Sequence, residues 1–271
     1  MLLASILLLL AFGGAPSTER EVTGLPLTGD EAVEFLQTAK VLGRPEKFDS
    51  VAITDPLRVT LTDGTRTLRA IFKDEDTNHM VFHFADGKVL TGVKDSYRHE
   101  IAAYELDVLL GLGIVPPCVK RPIRRDTGSL CLWVENAMTE AVRQRKKIRP
   151  PDLDDWNGQM FTIRLFHQLT WDPDYNNISN TLVDANFKLY KVDSSMAFRT
   201  DPKLRNEKAL TRFSKSVLAS LEALERSEVE ARLGPWLNRK QLDALWARRA
   251  RLLELAREQI ALRGEVAVLS D

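Results

Sequence analysis

Residues 171–199 read WDPDYNNISNTLVDANFKLYKVDSSMAFR, and this stretch decides the fold class. A polar loop at 172–180 runs into an apolar strand at 181–183, and a second strand at 188–192 ends on Asp193. Asp and Asn oxygens at the mouths of neighbouring strands can converge on one point, which suits a hard divalent cation such as magnesium. A carboxylate upstream in the loop can accept a hydroxyl proton, so the pattern predicts a phosphotransferase site. Asp and Asn also crowd ordinary turns, and a plain connecting loop is the alternative.

The overall composition is that of an ordinary globular protein. Of its 271 residues, 44% are hydrophobic and 28% are charged, and a chain of this length can bury a large core as one domain or a two-lobed unit. Basic and acidic residues number 38 each, so the net charge is zero. No overall field draws nucleic acid or an anionic membrane, and we expect no nucleic-acid partner. The basic run at 143–147 is typical of a solvated helix end.

The N-terminal residues have the pattern of a secretory signal peptide. Residues 2–12 form an uncharged apolar run that is too short to span a bilayer, and small residues follow up to Ala15. We expect a signal peptide at 1–15, export to a periplasm, the exterior or a secretory-pathway lumen, and no transmembrane segment after cleavage. In an exported chain Cys118 and Cys131 can form a disulfide, and two buried free thiols are the alternative.

Alternating apolar residues predict a small antiparallel sheet in the first half of the chain. The predicted strand pairs are 57–61 with 67–73 around Asp63-Gly64, 80–84 with 88–90 around Asp86-Gly87, and 118–123 with 129–134 around a turn at 126–128. A flexible leader is expected at 17–27, an amphipathic helix from Thr28 to Gly43, and a second helix at 95–110.

The second half of the chain has helical periodicity. Residues 136–170 are expected to be mostly helical with a break at Pro150-Pro151, and further amphipathic helices are expected at 203–225 and 238–262. The four histidines do not show metal-ligand spacing. No Gly-x-Ser-x-Gly, His-Glu-x-x-His or Walker pattern is present, which argues against the usual hydrolases and P-loop enzymes.

The predicted elements follow one another in the order of a protein-kinase-like fold. They are a strand Lys, a helix Glu, a hairpin, a buried helix, an Asp/Asn loop and a strand-end Asp. Residues 100–117, EIAAYELDVLLGLGIVPP, resemble the αC-helix region of the Golgi casein kinase and xylosylkinase family. Residues 182–199 resemble that family, its bacterial relatives and, more distantly, HipA-type and phosphatidylinositol kinases. The resemblance covers about residues 57–200.

This resemblance implies an α+β, two-lobed protein-kinase-like fold. A leader and an N-terminal helix at 16–44 would precede a small antiparallel-sheet N-lobe at 45–135 and a mainly helical C-lobe at 136–271. In the N-lobe, Lys73 matches the strand Lys that holds the nucleotide phosphates, and Glu100 matches the helix Glu that pairs with it. Glu105 lies on a different face of the helix. The implied hinge beside the adenine of ATP consists of Leu132, Trp133, Val134 and Glu135.

In the C-lobe, the resemblance makes Asp193 and Asn180 the ligands of magnesium or manganese, and Asp174 the carboxylate that accepts the hydroxyl proton. Related kinases place the Asn five residues after this Asp. Here Asn180 is six residues beyond Asp174, so either the loop bulges or Asp172 takes the working position. No glycine-rich phosphate loop is visible at 48–54.

The implied function is ATP-dependent transfer of the γ-phosphoryl group to the hydroxyl of a protein, glycan, lipid or small molecule. Two alternatives stay open. One is a catalytically degenerate pseudokinase that binds a nucleotide or a protein partner, and the other is an exported structural module with a vestigial cleft.

Overall fold

The structure, a computed structural model, describes residues 22–48, 55–83, 87 and 89–270. Its strands are β1 (Lys40–Lys47), β2 (Leu57–Thr62), β3 (Thr67–Lys73), β4 (Asp76–His83), β5 (Val89–Ser96), β6 (Cys118–Ile123), β7 (Asp126–Leu132), β8 (Met138–Thr139), β9 (Thr181–Val183), β10 (Leu189–Lys191), β11 (Phe213–Ser214) and β12 (Leu269–Ser270). Its α-helices are α1 (Gly29–Thr38), α2 (Tyr97–Leu110), α3 (Glu140–Arg145), α4 (Leu153–Thr170), α5 (Lys215–Ala223), α6 (Arg226–Leu233), α7 (Arg239–Arg263) and α8 (Glu265–Val268). The expected signal peptide at 1–15 and residues 49–54 of the segment expected to cover the phosphates lie outside the described residues.

A five-stranded antiparallel sheet in the order β1-β2-β3-β7-β6 forms the body of the first lobe. Successive side chains of a strand face opposite sides of a sheet. In β3, Ala70 and Phe72 belong to the core that α1 covers. Ile71 and Lys73 therefore face the other side, where α2 packs. This alternation directs the Lys73 side chain into the space between the sheet and α2.

The helix expected from Thr28 to Gly43 is shorter, and that prediction is wrong at its C-terminal end. The helix α1 ends at Thr38, and Ala39 is already extended with a ψ of 141°. Residues from Lys40 onward form β1, which pairs with β2 through Lys40 opposite Thr62. The ladder with β2 satisfies backbone groups that a longer helix would leave facing the sheet, so tertiary pairing overrides the local helical pattern.

The hairpin β4–β5 stands apart from the main sheet and lies between β3 and α2 in sequence. It is longer than the predicted pair at 80–84 and 88–90, because residues 76–79 join β4 and pair with residues up to Ser96. Ser96 ends β5 and also caps α2, since its hydroxyl accepts the Arg98 N–H. The hairpin thus leads directly into the first turn of α2.

The hairpin β6–β7 turns two residues earlier than predicted. Ile123 pairs with Asp126, so the turn is Arg124-Arg125, with Arg124 at a φ of 59°, and residues 126–128 belong to β7. Cys118 and Cys131 lie directly opposite each other in this hairpin and form a disulfide. Of the two states left open by the sequence, the structure contains the oxidised one.

The second lobe is built around α4 and α7, whose apolar residues share one core with α2. Asp152 caps α4 by accepting two backbone N–H groups, and Asn238 with Gln241 forms a capping box on α7. The helix predicted at 203–225 is wrong in its first half. That half contains only a short 3₁₀ helix at Glu207–Ala209 and the strand β11, which pairs with β12, and the α-helix α5 begins at Lys215. The helix α6 was not predicted.

Residues 22–27 connect the two lobes instead of forming the expected flexible leader. Gly24 and Glu135 exchange two backbone hydrogen bonds of 2.8 Å each. The Thr23 hydroxyl accepts the Ala185 N–H from the β9–β10 turn, and Leu27 is buried beside α1. A segment with these contacts is ordered, so the expectation of a flexible leader is wrong for this part.

The described residues form a sheet-rich lobe and a helical lobe, which is an α+β architecture. Within the described ranges, no helix combines the length and apolar character needed to cross a membrane.

Candidate functional site

Lys73, Glu100 and Asp193 come from three separate elements and meet between the lobes. Lys73 is the last residue of β3, Glu100 lies in the first turn of α2, and Asp193 follows β10. The Lys73 Nζ donates to Glu100 Oε1 at 2.6 Å and to Asp193 Oδ1 at 2.7 Å. The pairs are 27 and 120 residues apart in sequence. The structure therefore brings together the three residues that the sequence analysis placed in one cleft.

The Lys73 ammonium and the Asp193 carboxylate hold each other in the ionised state. Burial alone would lower the pKa of Lys73, but Asp193 and Glu100 outweigh it and raise that pKa. Desolvation works against the Asp193 carboxylate, yet the Lys73 ammonium keeps the pKa of Asp193 below its ordinary value. Lys73 is therefore an ammonium and Asp193 a carboxylate at neutral pH.

The helix α2 holds the chain that follows Asp193. The second carboxylate oxygen of Glu100 accepts the Ser194 N–H at 3.0 Å. The Ser195 carbonyl oxygen accepts the Ser96 N–H at 2.9 Å and lies 2.7 Å from His99 Nδ1. Burial lowers the pKa of His99 to about 4, so the ring is neutral at pH 7 and Nδ1–H is the donor. Movement of α2 would therefore move Asp193 as well.

Asp174 lies in the loop between α4 and β9, and its carboxylate accepts hydrogen bonds from side-chain amides. Its Oδ2 accepts Nδ2–H groups of Asn177 and Asn180, each at 2.8 Å. Burial raises the pKa of Asp174, and the negative charges of Asp172 and Asp193 add to the increase. A carboxylate whose pKa is raised holds a proton more readily than an ordinary Asp, as a general base requires.

Asp172 is not available as the alternative base. Its side chain is 2% exposed and forms an ion pair with the Lys191 ammonium at 3.1 Å, while its Oδ1 accepts the Asp174 N–H. Desolvation alone would raise the pKa of Asp172, but the Lys191 ammonium lowers it below its ordinary value. The structure therefore makes Asp172 a buried support of the loop and leaves Asp174 as the carboxylate beside the cleft.

Lys191 is a site residue that sequence reasoning missed. Its ammonium donates to the carbonyl oxygens of Val192 at 2.6 Å and Asp193 at 2.8 Å, and to Ser194 Oγ at 3.3 Å. It thus fastens the Asp193 backbone to the Asp172 loop. From sequence alone, a single Lys in a short strand is predicted to be exposed to solvent. All three residues of β10 are buried, which only the packed structure reveals.

The four hinge residues assigned to adenine binding are largely engaged within the chain. The Leu132 side chain lies in the core under α1. The backbone N–H groups of Leu132, Trp133 and Glu135 already donate to Pro117, Arg69 and Gly24 carbonyls, respectively. The Glu135 carboxylate is paired with the Arg69 guanidinium, which also stacks on the Trp133 ring. Val134 is buried.

Three non-glycine residues near the site have positive φ angles. Trp171 has a φ of 51°, and Asp193 and Phe198 each have a φ of 60°. Side chains at such angles meet their own backbone, which costs about 1–3 kcal/mol per residue. The Lys191 contacts to the Asp193 backbone offset this cost at the position that matters most for the site.

Asn180 and Asp193 carry the oxygen atoms that could hold a hard divalent cation. The Asn180 carbonyl oxygen accepts the Val192 N–H at 2.9 Å, which ties the start of β9 to the end of β10, next to Asp193. The Asn180 amide nitrogen faces Asp174, so its side-chain oxygen is turned away from that carboxylate. Within the described residues no three His, Cys, Asp or Glu side chains are grouped to hold a metal by themselves. Magnesium typically takes one or two protein carboxylates and completes its shell with phosphate oxygens and water.

The sheet-rich first lobe, the helical second lobe and the Lys–Glu–Asp cluster between them define a protein-kinase-like fold. The chain is similar in structure to hydra Fam20 solved with a sugar, with a TM-score of 0.64 and 15% sequence identity over 92% of this chain and 95% of that one. It is similar to a Golgi casein kinase with a TM-score of 0.61 and 13% identity over 89% and 78% of the two chains. The Helicobacter pylori proinflammatory kinase CtkA aligns with a TM-score of 0.48 and 9% identity over 86% and 97%. No protein-family model and no curated protein matches the sequence. The expected two-lobed α+β kinase-like fold and its likeness to the Golgi casein kinase are confirmed.

Proposed function

We propose that the protein is an ATP-dependent phosphotransferase that moves the γ-phosphoryl group to a hydroxyl acceptor. The observation that carries the proposal is the Lys73 ammonium, bonded at once to Glu100 at 2.6 Å and to Asp193 at 2.7 Å. In kinase-like folds the corresponding Lys and Glu must be paired for catalysis, and the corresponding Asp binds the metal. The acceptor is a protein, glycan, lipid or small molecule with a free hydroxyl.

Each residue of the cluster has a separate role in this proposal. Lys73 holds the nucleotide phosphates, and Glu100 fixes the position of its ammonium. Asp193 and Asn180 would hold magnesium or manganese, which when bound neutralises the charge of the phosphates. Lys191 and the Ser194 N–H keep Asp193 and Glu100 in register.

Asp174 would accept the proton of the acceptor hydroxyl. The acceptor oxygen then bonds to the γ-phosphorus while the bond from that phosphorus to the bridging oxygen of ADP breaks. The raised pKa of Asp174 suits this role. The Asn177 and Asn180 amides orient the carboxylate and leave its second oxygen, Oδ1, for the acceptor.

A pseudokinase is the second candidate, and the hinge favours it. Kinases read the adenine edge through hinge backbone groups, and here three of the four hinge N–H groups are consumed inside the chain. A nucleotide could then be held by its phosphates alone, with weak discrimination between bases. In that case the protein would bind Mg-nucleotides without turnover and serve as a nucleotide- or protein-binding module.

Transfer of radiolabelled phosphate from γ-labelled ATP distinguishes the candidates. The purified chain is incubated with Mg²⁺ or Mn²⁺ and with casein, a glycan mixture and a lipid extract as acceptors, and nucleotide binding is measured in parallel by calorimetry. We expect transfer that is lost in Lys73→Met, Glu100→Gln and Asp193→Ala. The matched control is Glu105→Gln, because Glu105 lies on the same helix but pairs with Arg232 on α6.

Binding of Mg-ATP without transfer to any acceptor, to water or to the chain itself would support the pseudokinase. Absence of metal-dependent binding would overturn both candidates. Loss of transfer in the Glu105→Gln control would show that the assay reports helix damage and not the Lys73 cluster.

We further propose that the protein is exported. The Cys118–Cys131 disulfide supports this, since disulfides persist in oxidising compartments. The fold shared with a Golgi casein kinase also supports it. N-terminal sequencing of the protein from its native source should begin after Ala15, and a mature protein that begins at Met1 would contradict export by a cleaved signal peptide.

A further inference from the structure

A cavity of about 450 Å³ lies outside the Lys73 cluster. Its walls come from the β4–β5 hairpin, the first turn of α2, residues 197–200 and the loop that precedes α7. The volume is in the range of small-molecule sites, which is roughly 300–1,000 Å³. Residues 197–199 are the Ala-Phe-Arg that closes the stretch quoted first, and the phosphotransferase proposal gives this tripeptide no role.

The described walls of the cavity carry three cations and one carboxylate. The cations are Lys94, Arg98 and Arg199, and the carboxylate is Asp76, so the ionised side chains sum to two positive charges. The whole chain has a net charge of zero, so this is a local concentration of positive charge. A concave surface with an excess of one charge attracts ligands of the opposite charge.

Asp76 marks the position that a negatively charged group would take. Its Oδ1 accepts Lys94 Nζ at 2.6 Å and Ser96 Oγ at 2.8 Å, and its Oδ2 lies 4.0 Å from Arg98 Nε. The Asp76 carboxylate therefore already has two cations and one hydroxyl group beside it. Because Arg98 is only loosely engaged and its side chain is 47% exposed, it can turn toward a second anion.

Arg199 fixes the cavity wall instead of competing for Asp76. Its guanidinium donates to the carbonyl oxygens of Thr91 at 2.8 Å and Gly92 at 3.2 Å, and it also stacks on the Trp171 ring. These bonds join the β5 strand to the segment that follows Asp193. The Arg199 side chain thus joins two walls of the cavity.

We infer that this cavity is a binding site for a small organic phosphate or sulfate ester of about monosaccharide size. Lys94 and Arg98 would hold the tetrahedral anion, since Arg binds such groups through paired N–H donors. Trp236 and Phe198 also line the cavity and offer a surface for the uncharged part of the ligand. A bare ion would leave most of the volume unfilled.

The cavity is connected to the Lys73 cluster through its walls. Ser96 and His99 line it, and both contact the Ser195 carbonyl oxygen two residues after Asp193. Gln241 lines it as well and donates to the Phe198 carbonyl oxygen at 2.9 Å. A bound ester would therefore brace both α2 and the segment behind Asp193.

The test uses tryptophan indole NMR on the full chain. The sequence contains five Trp residues, so a ¹⁵N-indole spectrum is simple, and Trp236 is assigned with a Trp236→Phe variant. The probes are glucose 6-phosphate, inorganic phosphate and uncharged glucose. We expect a saturable shift of Trp236 with glucose 6-phosphate, a weaker effect of inorganic phosphate, and none with glucose. The Trp133 indole signal should not shift, because Trp133 belongs to the hinge and not to the cavity.

Variants distinguish this site from the nucleotide cleft. Arg98→Gln should weaken binding about tenfold, the effect of losing one charge-assisted hydrogen bond. Asp76→Asn should strengthen it severalfold because a competing carboxylate is removed, and a gain of affinity cannot come from misfolding. Arg145→Gln, which removes an exposed Arg of α3, is the matched control and should change nothing.

Three results would overturn the inference. The first is equal binding of glucose and glucose 6-phosphate, and the second is an affinity that neither Arg98→Gln nor Asp76→Asn changes. The third is a ligand response at Trp133 that disappears in Lys73→Met, which would place the anion in the nucleotide cleft. None of them bears on whether the chain transfers phosphate from ATP, so the two proposals fail independently.

Discussion

Replacing Lys191 with Met removes the cation that is buried beneath the candidate site. Met keeps the length of the side chain and its apolar stem, so the main loss is the ammonium group. That group makes an ion pair with Asp172 at 3.1 Å and hydrogen bonds to the carbonyl oxygens of Val192 and Asp193 at 2.6 and 2.8 Å. The side chains of Lys191 and Asp172 are 1% and 2% exposed, so water cannot replace the lost partner.

The expected loss of stability follows from the charge that is left behind. Breaking a buried ion pair by removing one partner costs about 3–5 kcal/mol, because the remaining charge stays without compensation. We expect Lys191→Met to lower the free energy of unfolding by about 4 kcal/mol, close to a thousandfold in the folding equilibrium. Domains are stable by only about 5–15 kcal/mol, so the variant should be close to unfolding at 37 °C.

Urea unfolding at pH 7 with intrinsic fluorescence measures this loss. The control is Lys188→Met, three residues away on the exposed side of the same hairpin, which loses the contact of the Lys188 ammonium with the Tyr190 ring and should cost about 0.5–1 kcal/mol. Asp172→Asn keeps the acceptor oxygen for the Asp174 N–H but removes the charge. The double variant Asp172→Asn/Lys191→Met should therefore be more stable than Lys191→Met alone. The reasoning is refuted if Lys191→Met costs no more than Lys188→Met, or if the double variant loses the sum of the two single losses.

The remaining predictions concern the base, the buried histidines and the interlobe segment. Asp174→Asn should lower kcat about 10²–10⁴-fold at unchanged nucleotide affinity, and the acid limb of wild-type kcat should lie above pH 3.8, because burial raises the pKa of Asp174. His99 and His167 have pKa values of about 4 when folded, against 6.5 when unfolded, so the unfolded chain binds more protons as the pH falls through this window. Each should cost about 2 kcal/mol of stability between pH 6.5 and 5, and replacing either one with Gln should flatten that dependence in urea titrations. Gly24→Ala should lower the thermal midpoint more than Gly43→Ala: both positions have positive φ, but only a Cβ at 24 would meet side-chain atoms, at 2.6 and 2.8 Å. Equal losses at the two glycines would contradict the packing of residues 22–27 on the second lobe.

Much of the first lobe can be predicted from its sequence, because short-range patterns decide it. The alternation through Thr67–Lys73 and the turn at Asp63-Gly64 specify both the hairpin and the face on which Lys73 emerges. The prediction failed where a distant partner decides the structure. Residues from Lys40 onward have a helical sequence pattern but form a strand because they pair with β2. Phe213 lies in the predicted helix at 203–225 but forms a strand because it pairs with Leu269 of β12.

The same distinction applies to the candidate site: some of its residues can be predicted from the sequence, and others depend on distant partners. Lys73, Glu100 and Asp193 could be named from the sequence because the resemblance to the Golgi casein kinase and xylosylkinase family assigns a role to each of these positions. Lys191 could not, because its burial depends on Asp172 approaching from another loop. The engagement of the hinge N–H groups also depends on a remote segment, as Gly24 reaches Glu135 across more than a hundred residues.

The positive φ angles of Trp171, Asp193 and Phe198 place backbone strain beside the candidate site. Glycine would adopt these angles more readily, so an indole, a carboxylate and a phenyl group at the three positions cost about 1–3 kcal/mol each. The packing of the surrounding fold has to offset this cost, so the shape of the cleft depends on contacts made outside it.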